Sequence, residues 1–148
     1  MGCFEECLGS GVPAGVGEDT LWFYKVLKSG RSIYYEPAAV ALHHHRMTRR
    51  DLRRQLSAYS KGHVAYHLLT LFKHRDKRAL VRICYELPAS FASRAWQRIT
   101  GKGAYPWSLL ATEIAGTLLG PWSLWRSRRH VRKHGSGARP RTRTEIAE

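Results

Sequence analysis

The sequence predicts an α/β segment over residues 1–47, followed by a mainly helical extension. Two observations predict the α/β segment. An acidic pair opens a helix-like run, and two extended runs rich in aromatic and β-branched residues follow it. The third observation is a change of pattern at Thr48, where a long basic helix is expected to begin. The predicted order is therefore loop, helix, strand pair and helices.

The first predicted helix begins at Glu18 and Asp19, after a glycine-rich loop over residues 1–17. Apolar residues recur at three- and four-residue steps from Leu21, and Gly30 stands where the helix would end. Negative charge near a helix N-terminus is favoured by the macrodipole. Taken alone, the acidic pair is therefore explained by an ordinary helix start.

The two predicted strands are short and adjacent in sequence. The run RSIYYEP, residues 31–37, is rich in aromatic and β-branched residues and ends at a proline. The run AAVALHHH, residues 38–45, is a second extended or partly buried segment. Because two short strands do not form a stable sheet alone, partner strands are expected, and this sequence does not obviously contain them.

A basic amphipathic helix is predicted from Thr48. Leu52, Leu56, Tyr59 and His63 form one stripe of it, and arginines mark the opposite face. Helical spacing continues over residues 77–99, and a glycine break follows. The composition then divides the chain into four segments: the α/β segment over residues 1–47, basic amphipathic helices over 48–100, an apolar interfacial or membrane helix over 101–125, and a basic disordered tail over 126–148.

The apolar stretch over residues 105–125 has the length of a membrane span, for which about 20 apolar residues are needed. The residues that argue against spanning are Glu113, Gly116, Gly120 and Pro121. Those near its ends that suit a membrane interface are Trp107, Trp122 and Trp125. We expect an interfacial or re-entrant helix, with a true span and a buried packing helix as alternatives. The basic run after Trp125 favours the cytoplasmic side.

The net charge of +14 and the pI near 10.4 imply an anionic partner. A nucleic acid, a phosphate-bearing substrate and an acidic membrane leaflet all meet this requirement. Nucleic acid is the least expected of the three, since the sequence carries no DNA- or RNA-binding motif.

The order of motifs over residues 1–45 resembles the C-terminal part of a family 2 glycosyltransferase catalytic domain. The matching elements are the G-x-F-E-E loop, a glycine-rich stretch, the E-D pair, a glycine-ended turn, a Y-E-P strand and a following histidine. The resemblance implies an inverting enzyme of the GT-A (Rossmann-like) fold. Its partners would be a nucleotide-sugar donor and an acceptor, either lipid-linked or a polysaccharide, on the cytoplasmic face of the membrane.

The resemblance also implies residue roles. Asp19 would be the general base that deprotonates the acceptor hydroxyl, and Glu18 would support the loop or contact the acceptor. The G-x-F-E-E loop places Phe4, Glu5 and Glu6 in an acceptor loop. A positioned base of this kind contributes roughly 10²–10⁴-fold to the rate.

A divalent metal, Mg²⁺ or Mn²⁺, is the cofactor that the resemblance implies. It would neutralise the donor diphosphate, with His43 as the first candidate ligand and His45 as the second. The three consecutive histidines are equally explained by a solvated patch before the basic helix.

The sequence departs from the family pattern in one important respect. Its aspartates are Asp19, Asp51 and Asp76, so no D-x-D metal motif can form. The nucleotide-binding half is therefore missing, and we expect either a fragment or a half that needs a partner polypeptide and is inactive without it. The alternative is a small, non-catalytic basic protein that binds a membrane surface or a nucleic acid.

Overall fold

The computed structural model describes residues 5–9, 11–42 and 48–134 and places most of them in helices. A short 3₁₀ turn precedes five α-helices, and a π turn joins the third helix to the fourth. The elements are the 3₁₀ turn Glu6–Leu8, α1 (Glu18–Lys28), α2 (Arg49–His74), α3 (Arg78–Val81), the π turn Arg82–Glu86, α4 (Leu87–Ile99) and α5 (Trp107–His134). None of the described residues lies in a β-strand, so the predicted α/β class and its GT-A (Rossmann-like) domain are wrong.

The helix expected after the acidic pair is present as α1. Gly17 turns the chain sharply into it with φ of 120°, a left-handed conformation that favours glycine. The Leu21 N–H then donates to the Gly17 carbonyl at 3.0 Å and closes the first turn. Glu18 and Asp19 occupy that turn, where the helix dipole favours carboxylates.

The predicted strand pair is wrong over the residues that the structure describes. Residues 31–42 form an exposed connection between α1 and α2, in which Tyr35 is 82% and Leu42 95% accessible. A turn interrupts this connection, because the Ala39 N–H donates to the Glu36 carbonyl at 3.1 Å. A strand needs a neighbouring strand to pair its backbone groups. The described helices offer none, and residues 43–45 lie outside the described ranges.

Two glycines of α5 bring that helix into close contact with α2. A Cβ atom added to Gly116 would lie 2.7 Å from the Ser60 Cβ, and one added to Gly120 would lie 2.5 Å from the Val64 Cβ. Real Cβ atoms do not approach so closely, so these positions require glycine. We call this contact of Gly116 and Gly120 with Ser60 and Val64 the glycine seam.

A small apolar core lies beside the glycine seam. Its fully or nearly fully buried members come from the N-terminal loop, α1, α2 and α5: Cys7, Leu8, Ala14, Leu21, Ala65, Leu69 and Leu124. A buried hydrogen bond fixes the loop to α5, since the Ala14 N–H donates to the Ser127 Oγ at 2.8 Å. The N-terminal loop therefore belongs to the packed structure.

The helix α5 crosses the expected boundary between the apolar segment and the basic tail. It continues from Trp107 through Arg126 to His134, and residues 135–148 of the expected tail lie outside the described residues. An ion pair between Arg94 Nη1 and Glu113 Oε2, at 2.5 Å, holds α4 to α5. No helix in the described ranges has both the length and the apolar character required to cross a membrane.

Replacing Gly120 by Ala tests the glycine seam. Alanine is favoured over glycine in a helix interior by about 1 kcal/mol, yet the added methyl group would meet Val64. We expect a net loss of about 1–3 kcal/mol in the free energy of unfolding, measured by urea denaturation. Ala115→Ser, on the exposed side of α5, is the control and should stay within about 0.5 kcal/mol of the unmodified protein. A stabilised Gly120→Ala protein would contradict the close packing.

Candidate functional site

The predicted catalytic pair lies at the edge of a cleft between the start of α1 and the middle of α2. The cleft has a volume of about 450 Å³. Its wall consists of the turn into α1 and one side of α2: Val16, Gly17, Glu18, Asp19, Thr20, Tyr59, Gly62, His63 and Tyr66. We call it the Asp19 cleft.

A close backbone contact places α1 over α2 at this cleft. A Cβ atom added to Gly62 would lie 2.2 Å from the Val16 carbonyl oxygen, so α2 must carry a glycine there. The adjacent Gly17 approaches the same turn of α2, because its own added Cβ would lie 3.4 Å from the Gly62 carbonyl. These two glycines bring the acidic pair next to the α2 side chains.

The two carboxylates of the pair have different surroundings. Asp19 is exposed, and its Oδ1 accepts hydrogen bonds from the Thr20 N–H at 2.7 Å and the Thr20 Oγ1 at 3.3 Å. Both bonds end on Oδ1, so Oδ2 makes no hydrogen bond to the described residues. Glu18 is half-buried, and its Oε2 lies 2.6 Å from the position of a Cβ on Gly9. Asp19 is therefore the carboxylate available to a ligand, and Glu18 packs against the N-terminal loop.

A pair of histidines on α2 connects the Asp19 cleft with a second cleft. His63 lines the first cleft, and its Nε2 lies 3.2 Å from the Nε2 of His67, which lines the second. Burial lowers the pKa of His63, and the charge of Arg82 lowers it further. Burial and the neighbouring His63 lower the pKa of His67 to about 4. Both imidazoles are therefore neutral at neutral pH, and one ring can donate to the other.

The second cleft, of about 550 Å³, lies between α1, α2 and α3 and carries charges that are mostly paired. The Arg78 guanidinium donates two hydrogen bonds to the Asp76 carboxylate, and its proximity lowers the pKa of Asp76 to about 2. Arg82 pairs with Glu86, and the Lys28 Nζ donates to the His74 carbonyl at 2.9 Å. The basic side chains that line this cleft would suit an anionic ligand. Because they already have protein partners, the cleft is a weak candidate for such a ligand.

The acceptor-loop residues are not gathered at the Asp19 cleft. Glu5 forms an ion pair with Lys73 at 2.7 Å and lies 3.9 Å from Lys25. Burial raises the pKa of Glu5, but the hydrogen bond and charge of Lys73 outweigh it and lower the pKa overall. Glu6 is exposed in the 3₁₀ turn, and neither residue lines the cleft. Phe4 lies outside the described residues.

The predicted metal ligands His43 and His45 also lie outside the described residues. Within residues 5–9, 11–42 and 48–134, no group of three or more His, Cys, Asp or Glu side chains could hold a metal ion. The metal role of His43 and His45 therefore stays a prediction.

The sequence alone does not reveal the partners of Asp19 in its cleft. Tyr59, His63 and Tyr66 follow one another at helical spacing, and the first two are predicted only as members of the apolar stripe of α2. The spacing indicates that they share a face. Nothing local indicates that this face meets the start of α1, because that contact depends on the approach of Val16 to Gly62.

Comparison with protein-family models, curated proteins and solved structures finds no match for this chain. The resemblance to family 2 glycosyltransferases thus depends on the order of its motifs.

The lowered histidine pKa values predict that stability falls as the solution becomes more acidic. In the folded protein His67 has a pKa of about 4, against an ordinary value of 6.5, so the unfolded chain binds more protons between these values. The free energy of unfolding should therefore decrease as pH falls from about 6.5 towards about 4. His67→Gln should make that decrease smaller, as measured by urea unfolding across the range.

The exposed His130→Gln protein is the matched control for the loss of an imidazole. A His67→Gln protein whose stability depends on pH as steeply as that of the unmodified protein would contradict the assignment.

Proposed function

We propose that this chain supplies the acceptor-activating part of an inverting glycosyltransferase. The reaction would move a sugar from a nucleotide-sugar donor to an acceptor hydroxyl. The single observation that carries the proposal is the position of Asp19, whose carboxylate opens onto a cleft lined by Tyr59, His63 and Tyr66. The order of the six motifs over residues 1–45 supports the same function.

In the proposed reaction, Asp19 accepts the proton of the acceptor hydroxyl. The oxygen freed in this way forms a bond to the anomeric carbon of the donor sugar. The bond from that carbon to the nucleoside diphosphate breaks on the opposite face, so the configuration inverts. The Oδ2 of Asp19, which has no hydrogen bond within the described part of the chain, can receive the proton, since Oδ1 is held by Thr20.

The other groups of the cleft suit the positioning of a polyhydroxylated acceptor. A tyrosine hydroxyl and a neutral imidazole can each donate and accept hydrogen bonds, and the cleft offers those of Tyr59, Tyr66 and His63. The Tyr59 hydroxyl already accepts a hydrogen bond from the Gln55 Nε2 at 3.0 Å. The aromatic rings also offer flat apolar surfaces beside these polar groups. Glu18 would keep the loop in place through its contact at Gly9.

The donor would be bound by residues outside those described. The sequence contains no D-x-D motif, and the candidate metal ligands His43 and His45 lie outside the described residues. We therefore propose that a partner polypeptide or a further part of the protein supplies the nucleotide-sugar site. No step of the reaction proposed above is assigned to a metal.

The proposed place of action is the cytoplasmic face of the cell membrane, with the chain attached peripherally. The observation that favours attachment is the set of large apolar side chains that α5 leaves exposed beside its arginines. Attachment would bring the chain to the membrane that holds a lipid-linked acceptor.

Asp19→Asn tests the proposed base. The protein, copurified with the polypeptides that bind it in its own cells, is supplied with nucleotide-sugars of uridine, guanosine and thymidine together with a membrane extract. We expect release of a nucleoside diphosphate, and a decrease of roughly 10²–10⁴-fold in the Asp19→Asn protein, because the amide does not accept the proton. Donor affinity should change little.

Asp51→Asn is the matched control, since Asp51 lies in the first turn of α2 beside Thr48 and does not line the cleft. Unchanged turnover in Asp19→Asn, or no release from any donor by the unmodified protein, would overturn the proposal.

A further inference from the structure

The helix α5 buries mostly small residues and leaves most of its large apolar side chains exposed. Four of its six buried positions are small, and the other two are leucines: Gly116, Gly120, Ser123 and Ser127, with Leu110 and Leu124. Its exposed positions include six large apolar residues: Trp107, Ile114, Leu118, Leu119, Trp122 and Trp125. Leu118 is 75% and Trp122 55% accessible. A helix that served only the protein core would bury most of its large apolar side chains.

The glycine seam makes this arrangement a requirement of the fold. Gly116 and Gly120 must face α2, because no larger side chain fits against Ser60 and Val64. The residues about half a turn away from these glycines then necessarily point outward. At those positions the sequence carries Leu118 and Trp122, although a polar residue would fit equally well in water. Exposed apolar patches of this kind mark interaction surfaces.

The apolar side of α5 continues directly into a cluster of arginines. Trp125, Arg128, Arg129 and Arg132 line a shallow cleft of about 320 Å³. The Arg129 guanidinium lies 5.4 Å from the centre of the Trp125 ring, and Trp122 stacks on Trp125 at 4.7 Å between ring centres. Two stacked indoles therefore join the apolar side to the basic side.

The arginines of this cleft have no acidic partner among the described residues. Elsewhere in the described structure Arg78, Arg82 and Arg94 each pair with a carboxylate. Arg128 instead approaches the thiol of Cys7, whose pKa burial raises to about 11, so this thiol is neutral. The sequence contains no Asp or Glu from Ile114 to Thr144, so the positive charge has no compensation along the helix.

We propose that the outer face of α5 is a binding surface for an anionic lipid bilayer. Leu118, Trp122 and Trp125 enter the boundary between headgroups and acyl chains. Arg128, Arg129 and Arg132 bind lipid phosphates. This inference rests on the proposed membrane attachment and names the surface and the lipid chemistry that carry it.

The chemistry of the surface favours a bilayer over other anionic partners. A nucleic acid would neutralise the arginines but would leave Ile114, Leu118 and Leu119 in water. A bilayer interface covers the apolar part and the basic part of the surface at once, since indole rings and arginines are favoured at headgroup depth beside an apolar layer. From Trp107 to Trp125 the exposed apolar face spans about five turns of α5, enough for a helix that lies in the plane of the interface.

Vesicle cosedimentation of the full chain tests the proposal. Vesicles of phosphatidylcholine alone are compared with vesicles that contain one-third phosphatidylserine. We expect binding to the anionic vesicles, a blue shift of tryptophan fluorescence, and weaker binding as salt is raised. Each arginine near an anionic surface changes affinity about fivefold. The triple variant Arg128→Gln, Arg129→Gln and Arg132→Gln should therefore bind on the order of 100-fold more weakly.

Matched variants on α2 distinguish binding through this surface from binding through the overall positive charge of the protein. Replacing Arg49, Arg50 and Arg53 by Gln removes the same charge from an exposed helix and should have a much smaller effect. Leu118→Gln should weaken binding and reduce the fluorescence shift, whereas Leu52→Gln, at a partly exposed position on α2, should not. Circular dichroism and the urea unfolding midpoint establish that each variant is folded.

Two results would overturn the inference in distinguishable ways. If the unmodified protein binds no anionic vesicle, both the membrane attachment and this surface are excluded. If it binds and the α5 variants bind equally well, attachment stands but occurs through another surface. A third result would also overturn it: tighter binding to single-stranded RNA that is lost in the arginine variant and kept in Leu118→Gln would assign the face to nucleic acid. None of these results bears on the role of Asp19.

Discussion

The close approach of α2 and α5 is the constraint on which the rest of the described structure depends. Gly116 and Gly120 allow the two helices to touch at Ser60 and Val64, and this contact fixes which side of α5 faces the core. Ser127, further along the same helix, then holds the N-terminal loop through the amide of Ala14. The direction of the exposed tryptophans and the position of the loop therefore share one cause.

The helix α2 carries contacts on two of its sides, and the candidate site lies between them. One side meets α5 at the glycine seam, and another meets the turn before α1 where Val16 approaches Gly62. Tyr59, His63 and Tyr66 lie along the cleft wall next to the second contact. One wall of the Asp19 cleft is thus α2, which is packed against other elements on two of its sides. The opposite wall is the turn that leads into α1.

Local signals in the sequence predict the starts of α1 and α2 correctly, but they also predict a strand pair that is absent from the described residues. The start of α1 follows from its acidic first turn, and α2 begins with a hydrogen bond from the Asp51 N–H to the Thr48 side chain. Residues 31–42 carry the composition of strands, but a strand is stabilised by a partner that composition does not supply. The strand prediction is wrong for this reason.

The difference between local signals and contacts with distant parts of the chain also applies to the candidate site and to α5. The sequence indicates Glu18 and Asp19, but it does not show that Tyr59 and His63 lie opposite them, since that contact depends on glycines far apart in the chain. In the sequence of α5, the glycines at 116 and 120 argue against a membrane span. In the structure they are packing positions, and only the packing shows which side of the helix remains exposed.

The hydrogen bond between Ala14 and Ser127 has a consequence for the order of folding. It joins residues 113 positions apart, so the loop that leads to Asp19 is fixed only after α5 has docked on α2. Contacts of such long separation form late, because a large loop must close before they are made. On a ribosome, the acidic pair emerges more than a hundred residues before the segment that orders its loop. The Asp19 cleft therefore takes shape near the end of folding, although its carboxylates are made long before Ser127.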